Sequence, residues 1–188
     1  MNDLVNTTLA ALAIVAQLAA VAVAAAIVAG AVSPRARAVL VPSWATLGRQ
    51  AVWLAWSVAA VAMAGSLFFS LVESFTPCQL CWYQRIAMYP LAIILLVGAL
   101  LRDRRTWLYA AVFPVVGAAI SVYHIYIEVN PEKESASCKA GIPCSTRWID
   151  EFGYVTIPVM ALSGFVLIGL LLVVSFIASR HGDDAGTG

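Results

Sequence analysis

The sequence contains few charged residues: only 11% of its 188 residues are Asp, Glu, Lys or Arg, and the formal net charge is +1. This charge gives no overall attraction to nucleic acid. The apolar runs carry no series of charged residues and no pair of interrupted helices, so a transporter has little support. Hydrophobic residues make up 62% of the chain and the mean hydropathy is +0.91, more than a soluble domain of this size can bury. The sequence therefore predicts an integral membrane protein that contacts membrane lipids.

Five apolar runs are long enough to cross a bilayer, for which about 20 residues are needed. They lie at about 7–32, 51–72, 82–101, 107–127 and 154–178. The first run has the position of a signal peptide, but no Lys or Arg precedes it and it exceeds the roughly 7 to 15 apolar residues of a secretory signal. We therefore interpret it as a retained spanning helix, followed by a linker that contains Pro42 and Gly48.

Arginine residues collect on one side of this five-helix arrangement. They are Arg35, Arg37, Arg49, Arg102, Arg104, Arg105 and Arg180. Because short basic loops remain in the cytoplasm, this side is predicted to be cytoplasmic. The N-terminus is then outside, the polar tail 180–188 is inside, and all four cysteines lie outside the cytoplasm.

Cys78 and Cys81 form a Cys-x-x-Cys motif between the second and third runs. If Cys81 begins a helix, the exposed amide N–H groups there favour its thiolate. Arg85 follows four residues later, so on a helix its positive charge lies on the same face as Cys81. The motif is also half of a zinc site, and Arg85 is also a typical interfacial anchor, so these alternatives stay open. Trp82 follows the motif where haem attachment requires histidine.

The second pair, Cys138 and Cys144, has five residues between its cysteines, which suits a loop disulfide better than a zinc knuckle. A disulfide that only braces the loop remains an alternative. Two cysteine pairs on one side of a membrane can pass electrons by successive mixed disulfides. The nearby Glu128, Glu132 and Glu134 are expected to form a solvated loop face.

Electrons that reach the Cys-x-x-Cys pair need an acceptor. At the bilayer a lipid-soluble quinone is the natural two-electron acceptor, and it requires an apolar slot with a cation or hydrogen-bonding group near its ring oxygen. Arg85 supplies the cation. His124, at the outer end of the fourth run, is a candidate hydrogen-bonding group, with an interfacial side chain as the alternative.

The chain resembles the DsbB/BdbC family of bacterial disulfide-bond formation proteins over residues 51–179. The resemblance rests on two segments, Pro77-Cys-Gln-Leu-Cys-Trp-Tyr-Gln-Arg85 and Cys144-Ser-Thr-Arg-Trp-Ile-Asp-Glu-Phe-Gly-Tyr-Val-Thr-Ile-Pro158. It implies an all-α integral membrane protein of the bacterial cytoplasmic (inner) membrane, with a four-transmembrane-helix bundle of the DsbB type. We expect residues 1–50 to add an N-terminal transmembrane helix and cytoplasmic linker, 51–179 to form the redox domain, and 180–188 to form the tail.

The resemblance also implies roles for individual residues. Catalytic Cys78 and Cys81 correspond to the pair next to the quinone, with Cys81 facing the ring and with Arg85 and His124 as quinone-binding residues. Cys138 and Cys144 correspond to the pair whose first cysteine is attacked by a reduced thioredoxin-fold, DsbA-like partner. The implied enzyme is a disulfide-forming thiol:quinone oxidoreductase that uses ubiquinone or menaquinone and no metal.

Two departures from the family pattern accompany this resemblance. The second cysteine loop is much shorter than in the enterobacterial form, and the N-terminal helix has no counterpart in the four-helix core. Two other functions stay open. A vitamin K epoxide reductase-like enzyme uses similar cysteine pairs, although its Cys-x-x-Cys lies late in the bundle. A non-enzymatic membrane protein would use both disulfides only to brace its loops.

Overall fold

The structure is a computed structural model that describes residues 2–139 and 141–184. These residues are mainly helical, and the only β pairing among them is the isolated bridge between Glu151 and Val155. The helices are α1 (Asn2–Val32), α2 (Pro34–Leu71), α3 (Gln79–Leu101), α4 (Thr106–Ala110), α5 (Val112–Val129), α6 (Ala136–Lys139) and α7 (Ile157–Asp184). A single 3-10 turn, Pro131–Lys133, lies between α5 and α6.

The prediction of five spanning helices is confirmed. Five stretches of the described chain are long and apolar enough to cross a membrane: Asp3–Val32, Gln50–Leu71, Gln79–Leu101, Thr106–Val129 and Ile157–Arg180. The fourth consists of α4 and α5, which meet at Ala111. The chain is therefore a multi-pass helical membrane protein of the expected fold class, with one helix in addition to a four-helix bundle.

The linker expected between the first two spans is part of the helix that forms the second span. Ser33 caps the start of α2, since its hydroxyl accepts a hydrogen bond from the amide of Ala36 at 3.4 Å. Pro34 occupies the first turn, where a backbone N–H would have no partner within the helix, so proline costs no hydrogen bond there. The helix then continues through Pro42 and Gly48 to Leu71.

The core of the bundle lies between α2, α3 and α7. Its buried side chains include Ala55 from α2, Leu91 and Leu95 from α3, and Phe165 and Ile168 from α7. Helix α7 also packs against α1 and α5. It therefore connects the N-terminal helix to the rest of the bundle.

Helix α7 begins three residues later than the predicted run. A tight turn precedes it, in which Phe152 and Gly153 have positive φ angles and Glu151 pairs with Val155. Pro158 then takes the second position of α7, which suits proline at a helix start. At its other end, α7 extends through residues 180–184 of the predicted polar tail, and residues 185–188 lie outside the described residues.

Candidate functional site

The Cys-x-x-Cys motif lies at the start of α3. The helix begins at Gln79, and Cys78 is its N-cap with an extended backbone. The Cys78 Sγ accepts a hydrogen bond from the Cys81 amide N–H at 3.3 Å. The helix start therefore stabilises a Cys78 thiolate, whereas the sequence had suggested that Cys81 begins the helix. The difference arises because the helix starts two residues earlier than assumed.

The two sulfur atoms of this motif are free thiols in contact. Their Sγ atoms lie 2.8 Å apart, and either thiol can donate the hydrogen bond. This hydrogen bond from Cys81 is the main reason that the pKa of Cys78 is lowered to about 5, with a further contribution from His124, while burial acts in the opposite direction. Cys78 is therefore the better thiolate of the pair at neutral pH.

The second pair is closed. Cys138 and Cys144 form a disulfide whose Cα atoms lie 5.5 Å apart. Glu134 holds the two sides of this loop together, since its carboxylate accepts hydrogen bonds from the Ser145 amide at 3.1 Å and from the Ser145 hydroxyl at 3.4 Å. Glu134 is thus a structural part of the loop as well as a solvated residue.

The structure brings all four cysteines together. Cys78, Cys138 and Cys144 belong to one buried cluster with Leu80 and Ile127, and Cys81 packs against it. This agrees with the expectation that both pairs lie at the same end of the bundle. Because the two pairs lie in the same cluster, thiol–disulfide exchange between them needs only local movement.

His124 lies between the two pairs. Its Nε2 atom is 3.7 Å from the Cys78 Sγ and 3.0 Å from the Cys144 carbonyl oxygen, and the side chain is only 2% exposed. Its Nδ1 atom is buried and has no hydrogen-bond partner among the described residues. The sequence predicts that His124 binds a quinone, whereas in the structure its side chain contacts Cys78 and the second cysteine loop.

A polar stripe on α5 continues from His124 in both directions. Ser121 accepts a hydrogen bond from the Gln84 amide at 2.9 Å, and Glu128 accepts one from the Thr156 hydroxyl at 2.8 Å. Glu128 is buried, so its assignment to a solvated loop face was wrong. The sequence contained a signal for this stripe, because Ser121, His124 and Glu128 follow the spacing of one helix face on an otherwise apolar segment.

Cys81 opens onto an apolar groove of about 360 Å³ that is lined by α1, α2, α3 and α7. Arg85 lines the same groove one turn further along α3, where its guanidinium donates hydrogen bonds to the Ser66 carbonyl at 3.1 Å and to the Ser70 hydroxyl. Its Cζ atom also lies 5.4 Å from the centre of the Trp82 ring. Arg85 is therefore held in place beside the groove.

Two stacked aromatic rings line the groove close to Cys81. Phe75, from the segment before the motif, stacks on Trp148 with ring centres 4.8 Å apart. Trp148 belongs to the loop that follows Cys144, so the second cysteine loop contributes directly to the groove. Neither residue could be assigned to a groove from the sequence, because nothing in the local pattern shows that the two loops meet.

The thiols and His124 also form the donor set of a metal site. Their ligand atoms all lie within 4.8 Å of one another, as do those of Glu134, Cys138 and Cys144. The second set is unsuitable because its sulfurs are joined in the disulfide. In the first set the sulfurs are 2.8 Å apart, whereas two thiolates on a tetrahedral zinc ion at about 2.3 Å lie roughly 3.8 Å apart. The geometry of the first set therefore fits a dithiol pair that closes to a disulfide better than a zinc site.

The fold and the site define a helical membrane protein in which an open and a closed cysteine pair share one end of the bundle. A family model described as "Disulfide bond formation protein DsbB" matches residues 48–178. The chain therefore belongs to the DsbB family, and it is a disulfide-bond-forming membrane protein with a thiol oxidoreductase role.

Three curated relatives have consistent names. Disulfide bond formation protein C of Bacillus subtilis is 44% identical over 119 residues, which cover 62% of this chain and 86% of the relative. Probable disulfide formation protein C of Halalkalibacterium halodurans is 46% identical over 114 residues, covering 60% and 83%. Probable disulfide formation protein C 2 of Bacillus cereus is 41% identical over 121 residues, covering 64% and 87%. No solved structure is significantly similar to the chain.

Proposed function

We propose that this protein is a membrane thiol oxidase that oxidises a thioredoxin-fold, DsbA-like partner and passes the electrons to a membrane quinone. One observation carries the proposal: the open pair lies between the closed pair and the groove. Cys78 contacts the cluster that contains the second loop, while Cys81 lines the groove beside Arg85. In this arrangement electrons can enter through the second cysteine loop and leave through Cys81 at the groove.

The first step is exchange with the partner. A partner thiolate attacks the Cys138 sulfur, forms a mixed disulfide and releases Cys144 as a thiolate. The second partner thiol then displaces Cys138, so that the partner leaves oxidised and this loop holds two thiols. Cys138 takes the attack in this scheme, as the family resemblance implies. Both cysteines are buried, but the residues before Cys138, Ala136 and Ser137, are exposed, so the partner can approach from that side.

The second step moves the electron pair to the motif when that motif is a disulfide. Cys144 attacks the Cys78 sulfur, which lies in the same cluster, and Cys81 is released as a thiolate into the groove. Cys138 then displaces Cys78, which closes the second pair and leaves Cys78 and Cys81 reduced. The structure has this combination of a closed second pair and an open motif.

The third step returns the motif to a disulfide. A quinone accepts two electrons and two protons and leaves as a quinol. Cys81 supplies the sulfur that faces the groove, Cys78 closes the disulfide behind it, and both thiol protons leave. The fixed positive charge of Arg85 favours negative charge on Cys81 and on a ring oxygen nearby. The sum is partner dithiol plus quinone giving partner disulfide plus quinol.

The proposal is tested with purified protein, a reduced thioredoxin-fold partner and quinone, mixed without oxygen. Quinone absorbance should decrease in step with oxidation of the partner. Cys81→Ser should abolish the reaction, and Arg85→Ala should slow it. Arg105→Ala is the matched control, because Arg105 is exposed in the turn before α4 at the other end of the bundle. Unchanged rates in the first two variants would refute the assigned roles.

Two further measurements separate the alternatives. Turnover of vitamin K epoxide would favour an epoxide reductase, and cysteine pairs inert to both quinone and partner would favour a structural role. We also propose that the cysteine loops and the N-terminus face outward from the bacterial inner membrane and that residues 51–179 form the redox domain. Labelling of Lys133→Cys, at an exposed position between the two cysteine pairs, by a membrane-impermeant maleimide in intact cells would support this orientation.

A further inference from the structure

We propose that α1 forms the wall of the groove against which the isoprenoid tail of the quinone packs, and that it thereby sets which tails the protein accepts. This inference rests on the proposed quinone reduction. The chain before residue 48 lies outside the match to the family model, so α1 is an addition to the matched domain. Its position indicates a role in substrate binding as well as in anchoring.

One face of α1 lines the groove. The residues are Leu9, Leu12, Ala13, Val15, Ala16 and Ala19. Most of them repeat at intervals of three and four residues, which places them on one side of the helix. From Leu9 to Ala19 the helix rises about 15 Å, so the wall is long enough to accompany an extended chain well into the bilayer.

The groove has a polar end and an apolar length. Cys81, Arg85 and Thr76 line its outer end, at the start of α3. The α1 wall is opposed by apolar or small residues, including Val61 of α2 and Gly164 of α7. A quinone ring at the polar end therefore has its tail directed along α1, since a quinone combines a redox-active ring with a long apolar tail.

Hydrogen bonds fix α1 against α7. Gln17 donates from its Nε2 atom to the Ser163 hydroxyl at 3.0 Å and accepts at Oε1 from the Tyr154 hydroxyl at 3.0 Å. Both polar ends of the Gln17 amide are thus satisfied within an apolar helix. Such pairing holds transmembrane helices in register, so the wall has a defined position relative to the groove.

The groove is open to lipid beside α1. Leu12 is 46% exposed and Val15 is 60% exposed, although both line the groove. Because both side chains contact the groove and are also exposed on the outside of the bundle, the groove is open to the bilayer on this side. A tail therefore reaches the groove laterally past these two residues.

The test compares two Leu→Trp variants of α1. Leu12→Trp adds bulk inside the groove, whereas Leu18→Trp is the matched control, because Leu18 is 67% exposed and does not line the groove. Quinone reduction is measured with a long-tailed isoprenoid quinone and with a short-tailed analogue. Leu12→Trp should raise the KM for the long-tailed quinone by about tenfold or more and change the KM for the short-tailed one by less than about twofold. Leu18→Trp should change neither value.

Leu12→Ala provides a second test with little risk to folding. It removes contacts with the tail and should raise the KM for the long-tailed quinone about fivefold, again without a comparable effect on the short-tailed one. Thiol trapping that finds Cys138 and Cys144 still paired shows that each variant is folded.

The outcomes distinguish the two proposals. If the wild-type protein reduces neither quinone, the proposed function itself fails. If it reduces both, but Leu12→Trp and Leu12→Ala affect both quinones equally or neither of them, quinone reduction stands and the role of α1 is refuted.

Discussion

The hydrogen bond between the two thiols of the motif leads to a quantitative prediction for Cys81→Ala. The Cys78 pKa is lowered to about 5, and the largest cause is the hydrogen bond from the Cys81 side chain. A thiol with a pKa of about 5 is about 99% thiolate at pH 7, whereas one at the ordinary value of about 8.5 is only about 3% thiolate. Cys81→Ala removes the largest cause and should move the Cys78 pKa well above 5, although the amide N–H of residue 81 and His124 continue to lower it.

Alkylation of Cys78 by iodoacetamide as a function of pH measures this change, because only the thiolate reacts. The modified residue is identified by mass spectrometry, and the closed Cys138–Cys144 pair does not interfere. Cys81→Ser is the matched control, since its hydroxyl retains a hydrogen-bond donor and should keep the midpoint lower than Cys81→Ala does. A midpoint near 8.5 in the wild type, or a midpoint that stays near 5 in Cys81→Ala, would refute the reasoning.

Two further predictions concern stability, measured by thermal unfolding in detergent. Thr156→Val removes the hydroxyl that donates to the buried Glu128 carboxylate and should lower the free energy of unfolding by about 1–3 kcal/mol. An unchanged melting temperature would show that this hydrogen bond does not stabilise the fold. Gly117→Ala adds a Cβ that clashes with ring atoms of the buried Phe165, and it should cost about 1–3 kcal/mol. Gly169→Ala meets only an ordinary contact and should be tolerated, and equal effects of the two changes would contradict the packing at Gly117.

The spanning helices could be predicted from the sequence because their signal is local. Each run needs only about 20 apolar residues to satisfy its backbone within the bilayer, and the boundaries then follow from where the polar residues begin. The structure differs where a boundary depends on helix capping. Ser33 with Pro34 makes the linker the first part of α2, and the turn at Phe152 and Gly153 delays α7.

The four cysteines could also be identified from their spacing, together with Arg85 one turn after Cys81. The sequence could not show which sulfur the helix start stabilises, because a difference of two residues in the first residue of α3 transfers that effect from Cys81 to Cys78.

The partners of each helix face could not be read from the sequence at all. The helical spacing places His124 on one face of α5, but it does not show whether that face contacts a groove or the cysteine cluster. The packing of α5 against α3 brings His124 into contact with the cluster. The groove is a stronger case, because Leu12, Cys81 and Trp148 come from three distant parts of the chain and meet only in the folded bundle. In a membrane, burial of apolar surface does not by itself determine which helices associate, so small side chains and satisfied polar groups determine it. The pairing of Gln17 with Ser163 and Tyr154 is therefore the feature that converts an apolar N-terminal segment into a wall of the redox site.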